Sequence, residues 1–420
     1  MQFSVTNIVN WPSKKEVRVQ LSTPYLSSDF NMLTQKLFIY CFILLLMGCQ
    51  HSNLANFSPR LERHTLLEVQ PILAHYNIAR PQFYSLELKD PFEISDEMRR
   101  FAQNHAPKDS SVRSRTIALT KALLLDAGGG PLRYQSQYTY TAKESFESRE
   151  ANCLSFSILY AKLAQLQGLK VDFNEVDVPP AWDELRDGSW VSYKHVNVIV
   201  EQPFERDVFV DINLDAFSTS YPQKIVADRV VKALFYGNVG VEAMREKHML
   251  KSARYLVEAI KLAPEEAHLW VNLGALYSKH QFFDYAEASY LHALKIDSAE
   301  MSAASNLARL LRSEGREHAT FFENMVSSYI NRNPYYNFYM AKRAFDLARY
   351  DESMNLVNRA IKEVKEAKFF HLRAKIHVKI GDGELAKIDI INAEKYATLS
   401  DRDIYQKKLE KISKIYKDSM

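Results

Sequence analysis

Residues 269–298 read "LWVNLGALYSKHQFFDYAEASYLHALKIDS", and no other stretch limits the fold as strongly. Bulky Trp270, Leu273, Tyr277 and Tyr290 alternate at helical spacing with small Gly274, Ala286 and Ala293. Small residues at these sites let two helices approach closely. One unit earlier, Gly240, Leu256, Ala259 and Pro264 keep the phase. Later, Ala360 and Ala393 stand 33 residues apart, with Ser353 and Ala386 ahead of each. Such a unit does not bury its apolar face alone, so neighbouring units must stack into an α-solenoid.

These residues resemble the tetratricopeptide-repeat pattern almost position for position; the proline that would end the unit near Ser298 is missing. The resemblance implies an all-α solenoid of four or more repeats over residues 230–400. Its concave surface would take a protein or peptide partner, with Trp270, Tyr277 and Tyr290 as core residues of the repeat. The last segment, 401–420, carries Leu409, Ile412 and Ile415 on one side and reads as a capping helix.

At 420 residues the chain is too long for one ordinary core, so a multidomain protein is expected. Lys and Arg total 54 against 51 Asp and Glu, a net charge of +3 with no basic stripe, which argues against a nucleic-acid partner. No Gly-rich loop joins a strand to a helix; the glycines at 128–130 precede Pro131, so no nucleotide is expected. His371 and His377 are six apart, off a common helix face, and no metal or other cofactor is expected.

The three cysteines divide into two groups. Cys41 and Cys49 lie in or beside an apolar run, Leu37–Met47, which follows Lys36. A bilayer span needs about 20 apolar residues, so the run fits the core of a secretory signal instead. Its end, Leu46-Met47-Gly48-Cys49, resembles the lipobox of bacterial lipoproteins. That likeness implies cleavage before Cys49, a lipid on Cys49 and a membrane contact through it. Gln50, in place of a retaining Asp, points to the outer membrane and the periplasmic face of the envelope. Met32 opens a charged stretch suited to a signal, so residues 1–31 read as an over-extended N-terminus, 32–48 as signal peptide and 49–60 as tether. Cys153 is then the sole free thiol: it has no disulfide partner, and no second thiol to resolve an oxidised form.

Residues 61–225 read as an α+β domain. Ser95 starts a helix at "SDEMRRFAQNHA", and a second helix covers "SSVRSRTIALTKALLL". "NCLSFSILYAKLAQLQG" is helical with Gly168 as its stop, whereas "HVNVIVE" and "DVFVDI" alternate with period two. A hairpin centred near Pro203 would place His195 roughly opposite Asp211, on one face, with the valines on the other. Cys153 at the helix start, His195 and Asp211 make a nucleophile, a base and an orienting carboxylate. The Cys153 backbone N–H is the first oxyanion donor, and Gln137 and Tyr138, in the strand-like "RYQSQYTY", are candidates for the second.

This order of Cys, His and Asp, with Trp182 shortly before the His, resembles the transglutaminase-like superfamily. Ala151-Asn152 stands where that family commonly has a glycine before its cysteine. The resemblance implies a papain-like α+β fold over roughly residues 90–220 and a Cys153–His195–Asp211 triad, with Asn152 and Trp182 at the substrate cleft. It also implies thiol-based acyl transfer or amide hydrolysis on a protein or peptide. The alternative is a lipoprotein scaffold without turnover, acting through its repeats.

Overall fold

The computed structural model describes residues 69–126, 130–176, 183–184, 190–191, 194–203, 206–212, 222–397 and 405–410. The expected signal, Cys49, the tether and Trp182 lie outside the described residues. Among the described residues no helix is long and apolar enough to cross a membrane.

Four helices open the described chain: α1 (Gln70–His75), α2 (Arg80–Tyr84), α3 (Asp96–His105) and α4 (Val112–Lys121). Ser95 caps α3 as its sequence foretells, accepting a hydrogen bond from the Met98 N–H, with Asp96 and Glu97 in the first turn. Ser111 does the same for α4, which runs on into a π-helical turn over Ala122–Asp126. Of the strand-like "RYQSQYTY", only β1 (Arg133–Tyr134) is a strand; it pairs in parallel with β2 (Glu150–Ala151). Between them α5 (Ala142–Ser148) starts on a reciprocal cap in which Thr141 and Glu144 satisfy each other's backbone N–H. Then comes α6 (Cys153–Leu166), ending just before Gly168, whose φ of +71° suits a residue without Cβ.

The sheet is antiparallel throughout. It comprises β3 (Val171–Val176), β6 (His195–Val200), β7 (Val208–Val210) and β8 (Gln223–Val226), in the order β7-β6-β3-β8. A short pair, β4 (Asp183–Glu184) and β5 (Trp190–Val191), is inserted between β3 and β6. Val196, Val198 and Val200 are fully buried toward the α6 side, the outcome their alternation requires. The hairpin register differs from expectation. Val198 faces Val210 and Val200 faces Val208, which puts position 211 across from Asn197 rather than His195. Asp211 therefore meets His195 diagonally, still on the same face.

From Asp228 onward the chain is a stack of five antiparallel helix pairs among the described residues. These are α7 (Asp228–Arg245) with α8 (Met249–Leu262), α9 (Ala267–Lys279) with α10 (Phe283–Ile296), and α11 (Met301–Ser313) with α12 (Ala319–Arg332). After them come α13 (Pro334–Asp346) with α14 (Tyr350–Glu363) and α15 (Ala367–Ile380) with α16 (Gly383–Tyr396). The small residues do what their spacing predicts. A Cβ on Gly274 would lie 2.6 Å from Tyr290 Cε1, and one on Gly240 would lie 2.8 Å from Leu256 Cγ. Trp270 is buried and donates from Nε1 to the Pro264 carbonyl at 2.9 Å, joining its unit to the preceding one. This C-terminal part is an all-α solenoid of stacked helix pairs, consistent with the tetratricopeptide pattern of its sequence.

The hydrophobic core does not break where the strands end. One cluster runs from Val69 through the sheet and the first three helix pairs to Phe322, while Ala341 to Ala393 form a second. Helix α7 belongs to both layers, with twelve of its eighteen residues buried.

Candidate active site

Each of the three chemical groups is set by a local device. Cys153 is the first residue of α6, where backbone N–H groups lack partners within the helix and the helix dipole favours an anion. Asn152 caps that helix: its Oδ1 accepts from the Ser155 N–H at 2.8 Å. Its Nδ2 donates to Thr139 Oγ1 at 2.9 Å and to the Tyr138 carbonyl at 3.3 Å. The Tyr140 N–H in turn donates to Ser155 Oγ at 2.8 Å. Residues 138–140 are thus laced to the first turn of α6.

His195 begins β6 and Asp211 directly follows β7. Their side chains meet at 2.6 Å, Nε2 to Oδ2, and both are nearly buried. With Nε2 held by Asp211, Nδ1 is the ring nitrogen left for Cys153. The Cys153 sulfur, a His195 ring nitrogen and an Asp211 carboxylate oxygen all lie within 4.8 Å of one another. Burial works against charge on the imidazole, but hydrogen bonds to Asp211 and Cys153 outweigh it and raise the His195 pKa to about 10. Cys153 itself is half-buried, so a reagent can reach it.

The same three residue types could ligate a metal, and geometry separates the two uses. Ligands on a tetrahedral ion with bonds of about 2.0–2.2 Å sit about 3.3–3.6 Å apart. The 2.6 Å contact is instead a charge-assisted hydrogen bond, which makes Asp211 the orienting partner of His195.

The remaining expected positions are placed as follows. Gln137 and Tyr138 are exposed, and the backbone N–H groups of both donate to Gln135 Oε1, at 2.8 and 3.0 Å. Those two main-chain donors are therefore engaged in a turn. Asn152 uses its side chain as the helix cap. Four contributing residues carry no motif. Ser157, fully buried, donates to the Val196 carbonyl at 2.8 Å and ties α6 to β6. Lys194, beside His195, is paired with Glu175 at 3.1 Å. Thr139 receives Asn152, and on α7 burial raises the Glu242 carboxyl to about 7. Their one sequence signal is a polar residue inside an apolar run, as at Ser157 in "LSFSILYA" and Glu242 in "NVGVEAM".

No family model matches the chain, and no curated protein is similar to it. Among the solved structures that resemble part of it are the following three. A chain of the APC/C hetero-tetramer Cut9–Hcn1 is 13% identical over 44% of this chain and 37% of its own length, with a TM-score of 0.24. MamA from Desulfovibrio magneticus RS-1 is 13% identical over 40% of this chain and 96% of its own, at 0.23. YrrB, a TPR protein with an unusual peptide-binding site, is 13% identical over 42% of this chain and 92% of its own, at 0.23. Likeness at this level carries no functional argument.

Proposed function

We propose that the chain is a transglutaminase-like thiol acyltransferase or amide hydrolase whose repeats hold a protein or peptide, anchored to the bacterial envelope through Cys49. The observation that carries the chemistry is the convergence of Cys153, His195 and Asp211 within 4.8 Å, with His195 and Asp211 at 2.6 Å. Cys153 Sγ bonds to the carbonyl carbon of an amide and His195 takes the thiol proton. The C–N bond then breaks, the leaving amine takes that proton from His195, and a thioester remains. Water or a second amine attacks the thioester, loses its proton through His195 and returns the thiol. Asp211 keeps Nδ1 turned to the sulfur and stabilises the imidazolium.

The test is the rate of iodoacetamide alkylation against pH on the chain carrying Cys41→Ser and Cys49→Ser. A catalytic thiol reacts fast well below the free-thiol range of about 8.5, and His195→Ala abolishes that advantage. A slow, ordinary reaction indifferent to His195 favours the second reading, a scaffold acting through its five helix pairs.

A further inference from the structure

The last helix pair departs from the pattern of the repeats before it. On α16, Ala386, Ile390 and Ala393 are buried. Leu385, Ile388 and Ile391, each three residues on from the last, share another side of the helix and are 43%, 52% and 52% exposed. Ile380, at the turn into α16, is 52% exposed as well. In the preceding pair, 33 residues back, the matching positions on α14 are Glu352, Asn355 and Asn358, all exposed and polar. The repeat therefore does not need apolar residues there. Nor do residues 405–410 cover them. Gln406 donates to Glu394 at 2.8 Å and Lys408 meets His371 at 3.0 Å, and the four aliphatic side chains stay exposed.

Size and charge decide what covers such a stripe. A stable protein interface takes about 20–30 residues a side and is centred on Trp, Tyr or Arg. Four aliphatic side chains, with no aromatic or arginine among them, fall well short of that. Shallow burial of a few aliphatic groups flanked by lysines is instead how a helix lies on an anionic bilayer. The lysines are in place: Lys379 precedes Ile380, Lys395 lies one turn beyond Ile391, and both are exposed. Their long stems let the ammonium groups stay at the headgroups while the aliphatic groups sink. Glu384, on the same side, is paired with Lys387 at 2.6 Å. From α15 onward, residues 367–420 hold twelve Lys and Arg against eight Asp and Glu, a net of +4. Residues 1–366 hold 42 against 43, a net of −1. The positive charge of the chain thus sits at the end that carries the stripe.

We propose that this side of the last helix pair docks on an anionic lipid bilayer. Ile380, Leu385, Ile388 and Ile391 enter the boundary between headgroups and acyl chains, and Lys379 and Lys395 meet the lipid phosphates. The contact is separate from the Cys153 chemistry and from a lipid on Cys49. It holds the far end of the solenoid at the membrane surface.

The test compares two labelled positions on vesicles. The full chain carries Cys41→Ser, Cys49→Ser and Cys153→Ser. An environment-sensitive fluorophore is attached at Ile388→Cys or, as the control, at Asn355→Cys. The vesicles are phosphatidylglycerol and phosphatidylcholine with a nitroxide quencher on an acyl chain. The label at 388 should shift to the blue and be quenched, and the label at 355 should do neither. Any binding through the apolar run Leu37–Met47 affects the two labels alike. Phosphatidylcholine alone, or Lys379→Gln with Lys395→Gln, should remove most of the quenching, since each lysine near an anionic surface is worth about fivefold. Equal signals at 388 and 355 overturn the proposal. A label at 388 already shifted before vesicles are added overturns it too. Dependence of that shift on protein concentration would then identify a second copy as the occupant, and independence a segment of the same chain.

Discussion

The Ser157 hydroxyl donates to the Val196 carbonyl at 2.8 Å in a fully buried contact. Ser157 lies one turn beyond Cys153, and Val196 follows His195 in the chain, so this one bond sets the height of α6 against β6. Ser157→Ala leaves the Val196 oxygen buried without that partner, at a cost of about 1–3 kcal/mol. The urea midpoint should fall accordingly, and alkylation of Cys153 should slow. A variant with unchanged midpoint and unchanged thiol reactivity would show that the contact does not register the site.

The His195 pKa, raised from 6.5 to about 10, makes stability depend on pH in one direction. Between those values the folded protein holds a proton that the unfolded chain releases. The contribution is complete below about pH 6.5 and is lost as pH rises through about 10. Urea midpoints of the native chain should therefore decline across that window. Asp211→Asn removes the main charged partner of the imidazolium and should flatten the decline as it lowers the alkylation rate near neutrality. Equal slopes in the two proteins would count against an ion-paired imidazole.

Gly274 faces Tyr290 with no room for a methyl group, since a Cβ would sit 2.6 Å from Cε1 and 2.8 Å from Cδ1. Tyr290 is 1% exposed, so its ring has nowhere to retreat. Gly274→Ala should cost about 1–3 kcal/mol through overpacking, although alanine favours a helix. A chemical melt decides it: an equal or higher midpoint would mean the two helices separate freely.

The repeats were legible because their contacts are local. Gly274 and Tyr290 are sixteen residues apart, and the spacing of small and large residues states which sides touch. Cys153, His195 and Asp211 were legible because a helix start and period-two strands fix where side chains point. The hairpin register was less so. It depends on the length of the connection between Val200 and Val208, which alternation does not encode, and the diagonal placement of Asp211 followed from it. The contact of Arg245 with the Gln137 carbonyl spans 108 residues and rests on how α7 packs against the loop. A charged residue on an apolar helix marks such a contact but does not name its partner.

The division of the core at α12 and α13 predicts that the chain unfolds in two steps. In α12 the buried residues are Ala319 and Phe322, near its start, and the next cluster begins at Ala341. Little apolar surface joins the fourth pair to the third, so the interface term that couples neighbouring repeats is weak there. Fluorescence can tell the two parts apart, because Trp11, Trp182, Trp190 and Trp270 all precede Phe322. Circular dichroism reports helices from both. The dichroism transition should begin at lower urea than the fluorescence transition, with the last two pairs melting first and the thiol site still protected. Coincident transitions would mean that the fourth and fifth pairs are held by more than the clusters account for, and that the solenoid unfolds as one with the sheet.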